Sequence, residues 1–376
     1  MSQGFCIGGI SYHSRNVLLV AELGTSHGAD PVKARELVDA AAEAGAGAVK
    51  SQIVYADEIL HPNTGEVSLP GGKIRLYDRF KELEVPPAFF ADLKAYTEKK
   101  GLLFLLTPFG PRSARELLAL NPRAVKVASP ELNYTALLKE LASFGLPVLL
   151  SSGVSKLGDI EEALEILAGE NQERDLRKSI CLLHCITAYP APEKEYNLKV
   201  LENLAGIFGV SPGLSDHSLD PELVPALGTA MGAAVIEKHF CLSRKDPGLD
   251  DPIALPPEDF ARMARAVRRA SALGREETLR VISEERGAGL VQAVLGDGVK
   301  RLAPAERANY ERTNRSIHAL RDIQEGEGIT PGNIGVLRTE KILRPGLLPS
   351  WESKIIGRKA ACFIPAGEGI RFADLR

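Results

Sequence analysis

Up to about residue 274 the chain alternates short apolar runs with longer amphipathic stretches. Eight apolar runs stand out, at 17–23, 48–52, 102–107, 124–129, 147–151, 180–185, 209–214 and 234–240. Between them lie stretches with helical spacing, such as 31–44, 87–100, 112–120, 159–168, 221–231 and 257–273. Several of these open on Pro or Asp and close at Gly, as helices do. Continuously apolar strands alternating with helices predict a parallel sheet covered on both faces. Eight such units fit a closed (β/α)8 barrel better than an open sheet.

The strand ends support closure. The runs terminate in Glu22, Lys50, Thr107, Lys126 with Ser129, Ser151 with Ser152, His184, Ser215 with Asp216 and His217, and Glu237 with His239. Core packing does not call for a polar group at every strand end. In a (β/α)8 barrel these ends meet at the C-terminal face, where active sites are built.

The pattern changes after residue 274. Residues 1–285 read as the barrel, 286–312 as a linker rich in Gly, Ala and charge, and 313–376 as a second domain. In that domain Ile323-Gln-Glu-Gly-Glu-Gly-Ile329 recurs as Ile364-Pro-Ala-Gly-Glu-Gly-Ile370, and an apolar residue follows five positions on, Ile334 or Leu375. Two turn-plus-strand units predict a small β-rich fold with pseudo-twofold symmetry. A core that small is marginal alone and should dock on something larger.

Composition changes this picture little. The 376 residues are 44% hydrophobic and 25% charged, enough for a sizeable core. A net charge of -3 gives no reason to expect nucleic acid or an anionic membrane as partner. The five cysteines form no C-x-x-C pair, and Cys181 and Cys185 sit in an apolar run as core residues. A reducing cytoplasm and a chain that does not enter a membrane are expected.

The chemistry lies at the strand ends. Lys50 and Lys126 each follow apolar residues, where a lysine is costly to bury unless it meets an anion. Thr107, Ser129, Ser151, Ser152 and Ser215 add hydroxyls, so the set suits a small, doubly anionic ligand. The competing reading pairs each lysine with a structural carboxylate. His217 and His239 end consecutive strands and should be neighbours. Two imidazoles near carboxylates suit a divalent ion such as Mn²⁺, which would polarise an aldehyde oxygen. Glu22, in Ala21-Glu-Leu-Gly-Thr-Ser-His27, reads as a general base or an acceptor for a sugar hydroxyl, with a barrel-closing ion pair as its alternative. His13, His61 and His318 read as surface or linker residues. No P-loop, dinucleotide fingerprint or serine nucleophile elbow occurs.

In this order the motifs resemble the sialic acid synthase family: A-E-L-G-T-S-H at 21–27, K-S-Q at 50–52, T-P-F at 107–109, K-V-A-S at 126–129, S-S-G at 151–153, H-C-I-T-A-Y-P at 184–190, G-L-S-D-H at 213–217, E-K-H-F at 237–240 and N-R-S-I at 314–317. The resemblance covers nearly the whole chain. It implies a phosphoenolpyruvate-binding TIM barrel followed by an antifreeze-like (SAF) domain, and condensation of phosphoenolpyruvate with an N-acetylmannosamine-like aldose to a nonulosonic acid and phosphate. Lys50, Thr107, Lys126, Ser151 and Ser215 would hold phosphoenolpyruvate, and His217 and His239 would bind Mn²⁺ or Mg²⁺. Glu22, Ser129, Thr187, Tyr189 and Asp250 would lie on the sugar side. Arg315 would reach the site of the other subunit in a domain-swapped homodimer.

The chain departs from the family pattern on the sugar side. Thr187 stands where an Asn is usual, and Leu249-Asp250-Asp251 where P-D-H is usual. The acceptor is therefore open between N-acetylmannosamine, a 6-deoxy-diacetamido sugar and a precursor of a surface or spore-coat polysaccharide. Two other readings stand beside this one: a class I aldolase using Lys50 or Lys126 as a Schiff base, and a non-catalytic carbohydrate-binding protein on the same fold.

Overall fold

The computed structural model describes residues 4–69, 72–169, 175–340 and 342–376. Eight parallel strands form one sheet: β1 (Leu18–Gly24), β2 (Ala48–Ile53), β3 (Leu103–Pro108), β4 (Val125–Val127), β5 (Val148–Ser151), β6 (Ile180–Cys185), β7 (Ser211–Asp216) and β8 (Val235–His239). Their hydrogen-bonded order is β3-β2-β1-β8-β7-β6-β5-β4. The two edges, β3 and β4, lie side by side, so the sheet is nearly closed. Strand β4 is shorter than its apolar run because Ser129-Pro130 turns into a 3₁₀ segment.

Strand parity then sorts the side chains. The lower interior is apolar, with Val20, Ala48, Leu105, Leu149, Leu183 and Val235 packed against a plug formed by the hairpin Phe5–Ile7 and Ile10–Tyr12. One layer up, the inward positions are polar. Register sets His239 opposite Glu22 and Glu22 opposite Lys50, so three of the predicted residues share one row.

The helices lie outside. The first, Pro31–Glu43, starts where Asp30 accepts hydrogen bonds from the Val32 and Lys33 amides, and buries Ala34, Leu37, Val38 and Ala41. The others expected from the pattern are Pro87–Lys99, Pro111–Ala119, Leu157–Ala168, Leu223–Ala230 and Pro257–Leu273. None of the described helices is long and apolar enough to cross a membrane.

Residues 286–312 are more structured than the linker read from their composition. They open with the helix Ala288–Leu295, which buries Val291, Val294 and Leu295. They continue as a strap over the barrel. Buried Glu306 in this strap accepts from the Val154 and Thr187 amides, at 2.8 and 2.9 Å.

The small domain contains β9 (Arg315–Ala319) paired antiparallel with β10 (Ile334–Arg338). Its symmetry follows the internal echo. Ile323 and Ile364 exchange both backbone hydrogen bonds, while Ala319 donates to Glu368 and Ala360 to Glu327. In this single chain the domain packs on the C-terminal face of its own barrel, where Asn133 bonds both the amide and the carbonyl of Arg315. Two histidines read as surface residues belong to this contact or the core beside it. His61 Nε2 faces the Leu320 carbonyl at 3.2 Å, and fully buried His318 faces Gly367 O and Ser316 Oγ, each at 2.8 Å.

Candidate active site

A cavity of about 270 Å³ opens at the C-terminal face of the barrel. Glu22, Lys50, Lys126, Ser129, Ser151, Thr187, Tyr189, Ser215, His217, His239 and Asp250 all line it. Thr107 lies just behind, accepting a hydrogen bond from Lys50 Nζ at 3.2 Å.

The two lysines share their counter-charges. Lys50 Nζ is 2.9 Å from Glu22 and 3.5 Å from Glu237, while Lys126 Nζ is 3.6 Å from Glu237. Burial pulls the Lys50 pKa down, but Glu22 and Glu237 outweigh it and hold Lys50 charged. For Lys126 burial wins, and its pKa is lowered. Burial pushes Glu237 up, yet Lys126 and Lys50 outweigh it and keep the carboxyl ionised. The structural pairing and the anion-binding reading thus coexist, with Lys126 the less tightly paired cation. The buried hydroxyls of Thr25, Ser151 and Thr187 have no hydrogen-bond partner, nor does Glu237 Oε2. Buried polar atoms left so are costly, and several in one cavity leave groups free to bond a polar ligand or water.

His217 and His239 are neighbours, with ring centroids 5.5 Å apart. His217 Nδ1 lies 2.8 Å from the Ile186 carbonyl, which can only accept. Nδ1 therefore carries a proton, and Nε2 is left for a ligand. Burial lowers the His217 pKa, but Cys185 at 3.8 Å and the Ile186 carbonyl outweigh it and raise it to about 9. A cation at Nε2 would compete with that proton. Burial holds His239 below its usual range, and its Nδ1 is 3.8 Å from Asp250. Among the described residues no cluster of three or more His, Cys, Asp or Glu side chains could enclose an ion. The donors present are two imidazoles, fewer than an all-protein metal site uses, so a divalent ion here would need further ligands from outside the protein.

Three assignments change at the strand ends and the loop after β8. His184 points out of the cavity and is tied to the Tyr196 carbonyl at 2.7 Å. Cys185, read as a core residue, is buried but lines the cavity beside His217. Strand alternation explains the exchange, because adjacent residues face opposite sides. Asp251 is also turned away. It is buried, bonded to the Ser26 hydroxyl, and accepts from the Gly248 amide at 2.8 Å, so Asp250 alone of the pair reaches the cavity.

On the sugar side, Gln52 fixes Glu22 at 2.6 Å. Gly153 lets its loop approach the Thr187 and Ser129 hydroxyls, where any Cβ would clash. Arg315 does not reach the cavity. It is fully buried and bonded to Glu131, to Phe109 O and to Glu58 O. Its place in the lining is taken by Arg338, with Glu340, Asn309 and Thr313 from the small domain and strap. Sequence motifs could not find these, because the wall is assembled only when the small domain docks.

A sequence profile of the NeuB family matches residues 37–278, and one of the SAF domain matches 314–376. The spore coat polysaccharide biosynthesis protein SpsE of Bacillus subtilis is 32% identical, over 96% of this chain and 93% of that protein. An N,N'-diacetyllegionaminic acid synthase of Campylobacter jejuni is 31% identical, over 86% of this chain and 91% of its own length. The crystal structure of B. subtilis SpsE superposes with a TM-score of 0.80, at 30% identity and 99% coverage of both chains. A sialic acid synthetase from Leptospira borgpetersenii, solved with citrate, gives a TM-score of 0.65 at 28% identity, covering 83% of this chain and 96% of that one. Barrel, small domain and motif order agree with these matches, and the chain belongs to the NeuB family, with a C-terminal SAF domain.

Proposed function

We propose that this chain condenses phosphoenolpyruvate with an amino-sugar aldose, giving a nonulosonic acid and phosphate. One observation carries the reading. A buried lysine pair with unpartnered hydroxyls and a pair of imidazoles face one cavity at the barrel mouth. The first half suits a phosphate and carboxylate, and the second suits activation of an aldehyde. The relative named as an N,N'-diacetyllegionaminic acid synthase supports the same reading.

In this reaction C3 of phosphoenolpyruvate bonds to the aldehyde carbon, water adds at C2, and phosphate leaves from C2. Lys50 and Lys126 bind the phosphate and carboxylate and stabilise the charge that moves onto phosphate. Ser151 and Ser215 orient the same groups. Glu237, ionised between the lysines, takes a proton from the added water, the former aldehyde oxygen takes one up to become a hydroxyl, and the proton of the C2 hydroxyl leaves with phosphate. Glu22, held by Gln52 and Lys50, and Asp250 accept sugar hydroxyls, while Tyr189 lies along the His217 ring, 4.3 Å between centroids. A Mn²⁺ or Mg²⁺ ion held by His217 and His239 would supply Lewis-acid polarisation of the aldehyde.

Exchange of the small domain between two copies belongs to the same reading, since the groups that meet here within one chain would also meet between two. Light scattering on the purified protein tests it, and a monomer would refute it. A cytoplasmic setting rests on the uneven number of cysteines, with all five free.

A class I aldolase is the second reading, favoured by the lowered pKa of Lys126. Borohydride trapping separates the two. A carbonyl substrate trapped on Lys126, with activity indifferent to chelator, would establish the aldolase. No adduct and chelator-sensitive turnover support the synthase.

A further inference from the structure

The ends of β7 and β8 carry a second polar network, behind the cavity. Asp216 and Lys238 are register partners on adjacent strands, both buried, and neither lines the cavity. Lys238 Nζ donates to Asp216 Oδ2 at 2.5 Å, to Ser218 O at 2.6 Å and to Ser218 Oγ at 3.2 Å. All three of its donors are used. Asp216 Oδ1 accepts from the Ser218 amide at 2.8 Å. The buried Tyr196 phenol accepts a hydrogen bond from the His217 amide at 2.7 Å.

The backbone on both sides of His217 is thereby held, by Asp216 and Lys238 through residues 216 and 218 and by Tyr196 through the amide of 217. Lys238 itself precedes His239. A buried ion pair is a poor device for stability alone, because well-packed apolar side chains serve at least as well. What it does provide is fixed geometry. We infer that Asp216, Lys238 and Tyr196 are positioning residues that hold His217 and His239 at the spacing at which both imidazoles bind one divalent cation. The inference rests on the reading of those histidines as the metal pair.

The test measures Mn²⁺ binding to the full-length protein by the spin-resonance signal of free Mn²⁺, alongside phosphoenolpyruvate binding by calorimetry without metal. The variants are Tyr196→Phe, Asp216→Asn, Lys238→Met and His217→Ala. Tyr196→Phe keeps the packing, so it decides the matter if the charge variants fail to fold. The expected result is a loss of Mn²⁺ affinity of about tenfold or more in Tyr196→Phe, the scale of effect seen when a metal ligand loses its supporting partner. Metal-free phosphoenolpyruvate affinity should be unchanged in that variant, and His217→Ala should bind no Mn²⁺. If Tyr196→Phe and every folded charge variant bind Mn²⁺ as tightly as the unaltered chain while His217→Ala does not, positioning is refuted. A fall in Mn²⁺ affinity matched by an equal fall in phosphoenolpyruvate affinity also refutes it, since that is general loosening. Undiminished Mn²⁺ binding by His217→Ala overturns the metal reading and this inference with it.

Discussion

Replacing Glu131 by Gln should loosen the contact between the barrel and the small domain. Glu131 is fully buried, and its Oε1 accepts from four N–H groups, two on Arg315 at 2.9 and 3.1 Å and two on Arg338 at 2.6 and 3.0 Å. Arg315 is fully buried as well, and burial already lowers its pKa despite Glu131. Removing the one carboxylate leaves a buried guanidinium without counter-charge, a change that costs about 3–5 kcal/mol. The cost falls on docking, because Glu131 belongs to the barrel and both arginines to the small domain. The cavity wall containing Arg338 should loosen with it. Thermal unfolding and limited proteolysis of the strap should show the weakening, together with a raised KM for the sugar. In the double variant Glu131→Gln/Arg315→Met the fully buried uncompensated charge is gone, leaving only the partly exposed Arg338, which lies 4.0 Å from Glu340, so part of the lost stability should return. A single variant within about 1 kcal/mol of the parent, or a double variant no better than the single, would refute the reasoning.

Other outcomes follow from the same geometry. Lys126→Met removes the less tightly paired cation and should lower kcat/KM for phosphoenolpyruvate by about ten- to a hundredfold, the worth of one charge-assisted hydrogen bond; unchanged steady-state kinetics would remove Lys126 from the site. Stability should fall in acid. Burial depresses His27 and His318 to about 4 and His184 to about 3. Each is neutral when folded and takes up a proton more readily when unfolded, so full stability holds above about pH 6.5 and is lost as pH drops towards 4. For His318 alone this amounts to about 3 kcal/mol, and His318→Gln should flatten the curve of melting temperature against pH. N-acetylmannosamine 6-phosphate should be at least about tenfold poorer than the unphosphorylated sugar in kcat/KM. Among the described residues lining the sugar side, Arg338 is bonded to Glu131, and Asp250 and Glu340 are acidic.

Much of this arrangement was legible in the sequence. The apolar runs marked all eight strands, and the polar residues ending them marked the cavity, because a barrel gathers its strand ends in one place. What misled was parity. His184 and Cys185 are adjacent, and the more polar one faces away, since its ring finds the Tyr196 carbonyl there. Glu237 was visible as a strand-end carboxylate, but its place between two lysines depends on which strands close the sheet. Arg315 and Arg338 were beyond reach for another reason. Motif order identifies an arginine but not which of two neighbours on paired strands, opposite one another in register, meets the buried carboxylate deeply and which faces the cavity. Composition likewise concealed the strap, whose Glu306 is buried against backbone amides of the barrel.

The most direct test is phosphate release from phosphoenolpyruvate with Mn²⁺, against N-acetylmannosamine and 2,4-diacetamido-6-deoxy hexoses, with and without chelator, and with product mass read in parallel. The account predicts sugar-dependent release that chelator abolishes. The product should have the mass of the acceptor plus phosphoenolpyruvate and water, less phosphate. Phosphoenolpyruvate that binds but yields no phosphate and no such product with any of these sugars would contradict it.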